Sequence, residues 1–345
     1  MAARKITPLT DTKEAGRIIH IQRRPLPTHF SVEGYFQRVR DNWTGPTKAT
    51  LFEVPFLSKG IWNRLRNIAA VFRLQADVYH VTGDIHYVCC LLPRNRCVLT
   101  VLDCEVLHRQ RGLRRALLKY LWYTLPTRFC SEITVISEET KRQLLREIDF
   151  PESRIHVIPV SVSPLYVPTP RTFNSDCPRI LQVGTKVNKN IPGLIRALEG
   201  IRCHLDIVGP VDQALRQQLQ DCQINWTGWD RLTDQQMVER YQEADIVAFV
   251  STHEGFGMPI VEAQSVERIC ITSNCSSMPE VAGEGACLVD PFDSTSIRRG
   301  MLRILSDSSY REAVLAAGRI NRQRFDPTRI AQMFEEIYQS IVART

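Results

Sequence analysis

The chain has 345 residues, enough for two domains of ordinary size, and its 43% hydrophobic and 23% charged residues fit a packed globular protein, which excludes extended disorder, collagen-like repeats and low-complexity architectures. The longest apolar stretch free of charge, Ile85 to Pro93, is too short to cross a bilayer, and the polar start MAARKITPLTDTKEAGR lacks a secretory apolar core. Charge is split unevenly: residues 1–170 hold 25 Lys and Arg against 15 Asp and Glu, whereas residues 171–345 hold 19 against 22, so only the first half is expected to face an anionic partner.

Short apolar runs rich in β-branched residues alternate with helical patterns along the whole chain. In order they are RIIHIQ, a helix after Ser31, TLFEVPFL, a helix over Ile61 to Leu74, DVYHVTG, CVLTVLD, a helix over Leu113 to Leu125, ITVIS, a helix over Glu138 to Ile148, and IHVIPV. A Pro- and Ser-rich stretch near residues 161–176 interrupts the alternation. It restarts with RILQVG, Ile191 to Leu198, HLDIVG, Asp212 to Leu219, INWTG, Thr233 to Glu243, DIVAFV, Pro259 to Val266, ICITS, Met278 to Ala282 and ACLVD. Strands alternating with helices predict parallel sheets covered by crossover helices, hence two doubly wound α/β halves. A last amphipathic helix is expected over residues 328–343, able to dock on either half. Eleven cysteines, an odd number without any C-x-x-C pair, read as buried thiols in a reducing compartment.

Residues 108–125, HRQRGLRRALLKYLWYTL, combine five basic residues with leucines and Trp122. Such a stretch either lies on an anionic bilayer surface or covers a sheet with its apolar side turned inward. The basic half carries no recognisable nucleic-acid-binding module, so nucleic acid is not an expected partner.

Two stretches carry chemistry. In DIVAFVSTHEGFGMPIVEAQ, residues 245–264, a buried strand leads through a glycine loop to a helix start marked by Pro259. The free N–H groups there favour an anion. Glu254 and Glu262 flank that point, and since carboxylates repel phosphate, they suit hydroxyls on either side of it. A nucleotide sugar has that layout. In LQVGTKVNKNIPGLIRAL, residues 181–198, a strand ends at Gly184, followed by Lys186, Lys189 and another helix start at Pro192. Neither G-x-x-x-x-G-K-[ST] nor a strand-end G-x-G-x-x-G occurs, which weakens nucleotide hydrolysis and dinucleotide binding. The same features also fit plain helix-start glutamates and solvated surface lysines.

The spacing E-G-F-G-M-P-I-V-E-A, the Lys189-Asn190 pair after a Val-Gly strand end, and ITSNCSSMPEVAGEGACLVDPFD follow one another in order. Together they resemble the carboxyl-terminal domain of retaining glycosyltransferases of family 4, which have the GT-B fold. The likeness covers most of residues 178–325 and extends more weakly through VTGDIHY, LTVLDCEVLH, ITVISEETKRQLL and IHVIPVSVSP.

The resemblance implies a GT-B protein, two Rossmann-like doubly wound domains facing a cleft. Residues 1–170, completed by the helix 328–343, would bind the acceptor, and residues 171–327 the nucleotide sugar. A hexose would pass with retention from a GDP-mannose or UDP-hexose donor to a saccharide or lipid-linked acceptor of surface polysaccharide synthesis. That work is expected on the cytoplasmic side, including the inner face of the plasma membrane. Glu254 would contact the donor sugar and Glu262 the ribose. Gly255, Phe256, Gly257 and Met258 would line the sugar and phosphate pocket. Lys189 would neutralise the diphosphate beside Gly184, Thr185 and Lys186, with Ser276 and Ser277 as further donors and Trp229 near the base. His86 and Asp103 are the acceptor-side candidates.

No D-x-D occurs, so neither metal nor cofactor is expected. The chain departs from the family pattern twice: Thr185 stands where many members have Arg, and Leu102 where many read His in T-I-H-D. These departures motivate the alternative of a GT-B protein that binds a nucleotide sugar without turnover.

Overall fold

The computed structural model describes residues 16–25, 31–46, 49–108 and 110–345. Its strands form two six-stranded sheets. The first contains β1 (Ile18–Gln22), β2 (Thr50–Glu53), β3 (Val78–Val81), β4 (Cys97–Val101), β5 (Glu132–Val135) and β6 (Ile155–Val157), in the order β2-β1-β3-β4-β5-β6. The second contains β7 (Arg179–Val183), β8 (His204–Val208), β9 (Asn225–Trp229), β10 (Ile246–Phe249), β11 (Ile269–Ser273) and β12 (Cys287–Val289), in the order β12-β11-β10-β7-β8-β9. Pairing is parallel, as at Ile246 with Ile180 and Ile18 with Val78. Parallel strands cannot be joined by tight turns, so the intervening helices cross over the sheet faces and bury both sides. Every residue of β1, β3, β4, β10 and β11 is accordingly buried. The doubly wound α/β class expected from the alternation is the observed one.

The chain forms two compact units. One comprises the described residues through Thr100 with Ala116–Ile133 and Ala331–Thr345; the other comprises Val101–Arg115 and Thr134–Ile330. The core of the second is aliphatic, built from Ile180, Leu194, Leu205, Ile246, Ile271 and Met301 with their neighbours. In the first unit the helix Pro327–Val342 contributes buried Phe334 and Tyr338. The Tyr338 hydroxyl bonds both to His20 Nε2, at 3.0 Å, and to His80 Nδ1, while His80 Nε2 lies 2.7 Å from Thr100 Oγ1. Glu335 of the same helix accepts the Thr44 and Gly45 N–H groups at 2.7 and 2.9 Å. Burial lowers the pKa of His80 to about 3 and that of His20 well below its ordinary value, so both rings are neutral.

Local chemistry explains where the elements differ from expectation. The strand TLFEVPFL stops at Glu53, two residues before Pro55, which cannot donate to a ladder. The helix expected over Leu113 to Leu125 is three pieces: Gly112–Lys119, a π turn over Tyr120–Thr124, and Leu125–Thr127 with Pro126 inside. Leu113, Leu117 and Leu121 of this stretch are exposed, Leu113 by 86%, while Leu118, Trp122 and Leu125 are half-buried and Tyr123 is buried. Two further helices, Ser294–Ser306 and Ser308–Asn321, have no counterpart in the sequence reading; each is capped by an aspartate, Asp293 and Asp307, accepting a first-turn N–H.

All eleven cysteines are free thiols. Three of them, Cys89, Cys97 and Cys130, are nonetheless gathered with sulfurs within 4.8 Å of one another. Among the described residues no fourth Cys, His or carboxylate joins this group, so protein ligands alone do not complete a tetrahedral site. No helix among the described residues is long and apolar enough to cross a membrane.

Candidate functional site

In an open parallel sheet the neighbouring crossovers diverge where the strand order reverses, leaving a crevice at the carboxyl ends of the two strands. In the second sheet this place lies between β7 and β10, and the loops that follow those two strands are the chemically dense stretches of the sequence. Gly184, directly after β7, has φ +83°, and a Cβ there would stand 3.0 Å from Lys189 Cε, so glycine makes room for the lysine stem. Lys189 Nζ lies 2.7 Å from Glu254 Oε1 and 4.5 Å from the Phe249 ring centroid. Both side chains of this ion pair are 16% exposed. Asn188 donates to the same Glu254 oxygen at 3.0 Å and to the His253 carbonyl at 2.9 Å, and its own carbonyl accepts Thr252 N–H at 2.8 Å. The loops after β7 and β10 are thereby fastened together around one carboxylate.

The glycine loop is held from beneath. Ser276 Oγ donates to the Glu254 carbonyl at 2.7 Å, and buried Ser277 Oγ lies 2.7 Å from the Phe256 carbonyl. These hydroxyls thus spend their protons on the loop backbone. Ser137 Oγ, 2.8 Å from the Gly255 carbonyl, adds a third tie. A Cβ on Gly255 would meet the Leu102 carbonyl at 3.0 Å and Asp103 Cβ at 3.3 Å, so Asp103 borders this loop. Gly257, at φ +115°, turns the chain into the helix Met258–Ser265, where Pro259 has no N–H and the Ile260 N–H bonds the Gly257 carbonyl at 3.0 Å, and the helix dipole points its positive end at this turn. Phe256 is buried edge-on against Phe325. One helical turn on, Glu262 accepts the buried Tyr241 hydroxyl, and burial together with that carboxylate raises the Tyr241 pKa well above its ordinary value.

Lys186 is exposed, and Thr185 packs against Gly209, where a Cβ would meet its Oγ1 at 3.0 Å. Trp229 ends β9, donates Nε1–H to Asp206 at 2.8 Å and is covered by the Arg240 guanidinium 4.2 Å above its ring. His86 is buried with Nδ1 2.7 Å from the Trp122 carbonyl, and burial lowers its pKa.

Asn188, Ser137 and one further group are not among the residues that the sequence motifs single out. In the first sheet the order reverses between β1 and β3, and there Arg23 binds Glu33 at 2.7 Å and Asp84 at 2.6 Å. Asn188 stood inside V-N-K-N and was masked by its charged neighbour. No local pattern could have joined Arg23 to Asp84, which are 61 positions apart.

The profile of the family described as Glycosyl transferases group 1 matches residues 177–307, and that of Glycosyltransferase Family 4 matches residues 21–164. The O-antigen chain mannosyltransferase B of Escherichia coli is 27% identical over 218 residues, 56% of each chain. The serotype-specific mannosyltransferase WbdA of the same species is 38% identical over 91 residues, 26% of this chain and 11% of its own. The chain thus spans about half or less of the length of these curated relatives. Among solved structures, Anabaena HepE in complex with UDP and glucose superposes with a TM-score of 0.74 at 16% identity, covering 94% of this chain and all of that one. WaaG, a glycosyltransferase involved in lipopolysaccharide biosynthesis, gives 0.68 at 16% identity over 93% of this chain and 99% of that one. At such identities the likeness is one of fold.

Proposed function

The chain belongs to family 4 of the glycosyltransferases and has the GT-B fold, and from this premise we propose that it transfers a hexose from a nucleoside diphosphate sugar to a hydroxyl of a growing surface polysaccharide or its lipid-linked precursor. The observation that carries the reading is the Lys189–Glu254 pair, braced by Asn188, at the strand-order reversal of the second sheet. Two relatives named as mannosyltransferases favour mannose, with GDP-mannose as the first donor to test and UDP-hexoses as the second.

In this mechanism the bond from the anomeric carbon to the diphosphate oxygen breaks, leaving positive charge on the sugar ring and negative charge on the diphosphate. Lys189 turns from Glu254 to the departing diphosphate, joined there by the positive end of the helix Met258–Ser265. Glu254, released from its cation, accepts hydrogen bonds from the sugar hydroxyls, and Glu262 accepts those of the ribose. The acceptor hydroxyl attacks the anomeric carbon from the face the diphosphate leaves, passing its proton to a diphosphate oxygen, so configuration is retained and no protein base is needed. Asp103 lies on the acceptor side, and His86 supports that side by holding the Trp122 carbonyl. Residues 1–170 with the helix 328–343 form the acceptor part, residues 171–327 the donor part. With ammonium and amide groups bearing the diphosphate charge, transfer needs no metal.

The test is a sugar-transfer assay with GDP-mannose and UDP-hexoses, supported by thermal shift with each donor. Stabilisation by one donor, transfer to a hydroxyl acceptor with the donor's anomeric configuration, and full rate in excess EDTA are expected. Rate lost in EDTA and restored by Mg²⁺ would overturn the metal-free mechanism, and inverted product would overturn retention. Donor binding without transfer or donor hydrolysis would establish instead the non-catalytic reading that Thr185 and Leu102 motivate.

A further inference from the structure

The helix Ile61–Phe72 of the first unit inverts the usual arrangement. Asn67 and Val71 are buried on one side, while Trp62, Leu65, Ala69 and Phe72, spaced three and four residues apart as on one helical stripe, face outward. Trp62 is 74% and Phe72 63% exposed. On its other side, next to Val71, Arg64 of the helix stacks 4.8 Å over the Trp122 ring of a second element, of which Leu117 and Leu121 are exposed. Charge around the two elements has one sign. No Asp or Glu occurs in residues 54–76, which hold Lys59, Arg64, Arg66 and Arg73, nor in residues 106–131, which hold five Arg and Lys119. Lys59, Arg66 and Arg73 are exposed beside the stripe.

We propose that the outer stripe of Ile61–Phe72, with the exposed cations beside it, seats the protein on the surface of an anionic lipid bilayer. An apolar stripe carrying Trp and flanked by cations suits the head-group boundary, where the rings and Leu65 enter and the guanidinium groups remain among phosphates. A second copy of the chain fits poorly, because a self-complementary contact would set Lys59, Arg66 and Arg73 against their own counterparts without an acidic residue from the same segments. The inference concerns surface placement and is independent of which sugar is moved.

The experiment is co-sedimentation of the full chain with vesicles of phosphatidylcholine alone or with phosphatidylglycerol. Binding is expected to the mixed vesicles and to be at least tenfold weaker to phosphatidylcholine alone, since each Lys or Arg near an anionic leaflet strengthens partitioning about fivefold. The double substitution Trp62→Ser, Leu65→Ser, at exposed positions, is expected to lower binding at least tenfold with circular dichroism and melting temperature unchanged. Lys59→Glu with Arg73→Glu should do the same through charge. Absence of binding to mixed vesicles at low salt overturns the proposal, as does binding that the Ser substitutions leave intact. So does a dimer in sedimentation that those substitutions dissolve, since the stripe would then be covered by a second copy.

Discussion

Both sheets reverse their strand order, between β1 and β3 and between β7 and β10, yet the surroundings of the two reversals are furnished in opposite ways. At β10 the strand is apolar and β7 has one fully buried polar side chain, Gln182, while the ion pair Lys189–Glu254 sits in the loops beyond them and remains partly open to solvent. In β1, β3 and β4 the polar chemistry lies within the strands, as His20, His80 and Thr100 in a network closed by Tyr338. The same topology thus supports a reactive rim in one unit and a buried polar seam in the other. A rim group can exchange partners at little cost; a seam group left unpaired destabilises the fold.

That contrast can be broken first at the rim. Lys189→Ala is expected to lower kcat by about 10²-fold or more, the effect of removing one preorganised charge donor, with the melting temperature little changed. Near-normal turnover would remove Lys189 from the mechanism.

The next effect tests the seam through pH. His20 and His80 are held neutral by burial, while in the unfolded chain an imidazole titrates near 6.5. Below that value the unfolded chain takes up protons the folded one refuses. Stability is therefore fully present above pH 6.5 and falls as pH drops toward the folded values, by up to about 1.4 kcal/mol per pH unit for each ring. Urea unfolding at pH 7.5, 6.0 and 5.0 reads this slope directly, and a flat profile would contradict the neutral seam.

A smaller loss is expected from Tyr338→Phe, which removes the hydroxyl shared by the two histidines and leaves buried nitrogen atoms unpaired, about 2 kcal/mol by urea unfolding. Activity per folded molecule should hardly move.

The smallest effect belongs to Asn188→Ala at the rim, about tenfold in kcat with KM nearly unchanged, because Asn188 orients Glu254 without replacing its charge. A fall as large as that of Lys189→Ala would make Asn188 a direct ligand of the donor.

The same contrast explains what could be read from the chain. Strands such as DIVAFV and ICITS announced themselves as continuous apolar runs, and the Glu254 loop by glycines between a strand and a proline-marked helix start. Contacts across long separations carried no such signature: Arg23 with Asp84, Tyr338 with His20, and the sulfurs of Cys89, Cys97 and Cys130. The helix over Ile61–Phe72 was legible from its spacing. Which of its faces met solvent was not, because period 3.6 marks a stripe and says nothing of the side on which the protein lies. The partner of His86, the Trp122 carbonyl 36 positions later, was equally without a local signature.

The 318 positions between His20 and Tyr338 set a schedule for synthesis. At roughly 5–20 residues per second a ribosome needs on the order of 16 to 60 seconds to travel from one to the other. Throughout that interval the nascent first sheet carries two imidazoles awaiting a hydroxyl that has not yet been made, so this unit matures last although its strands emerge first.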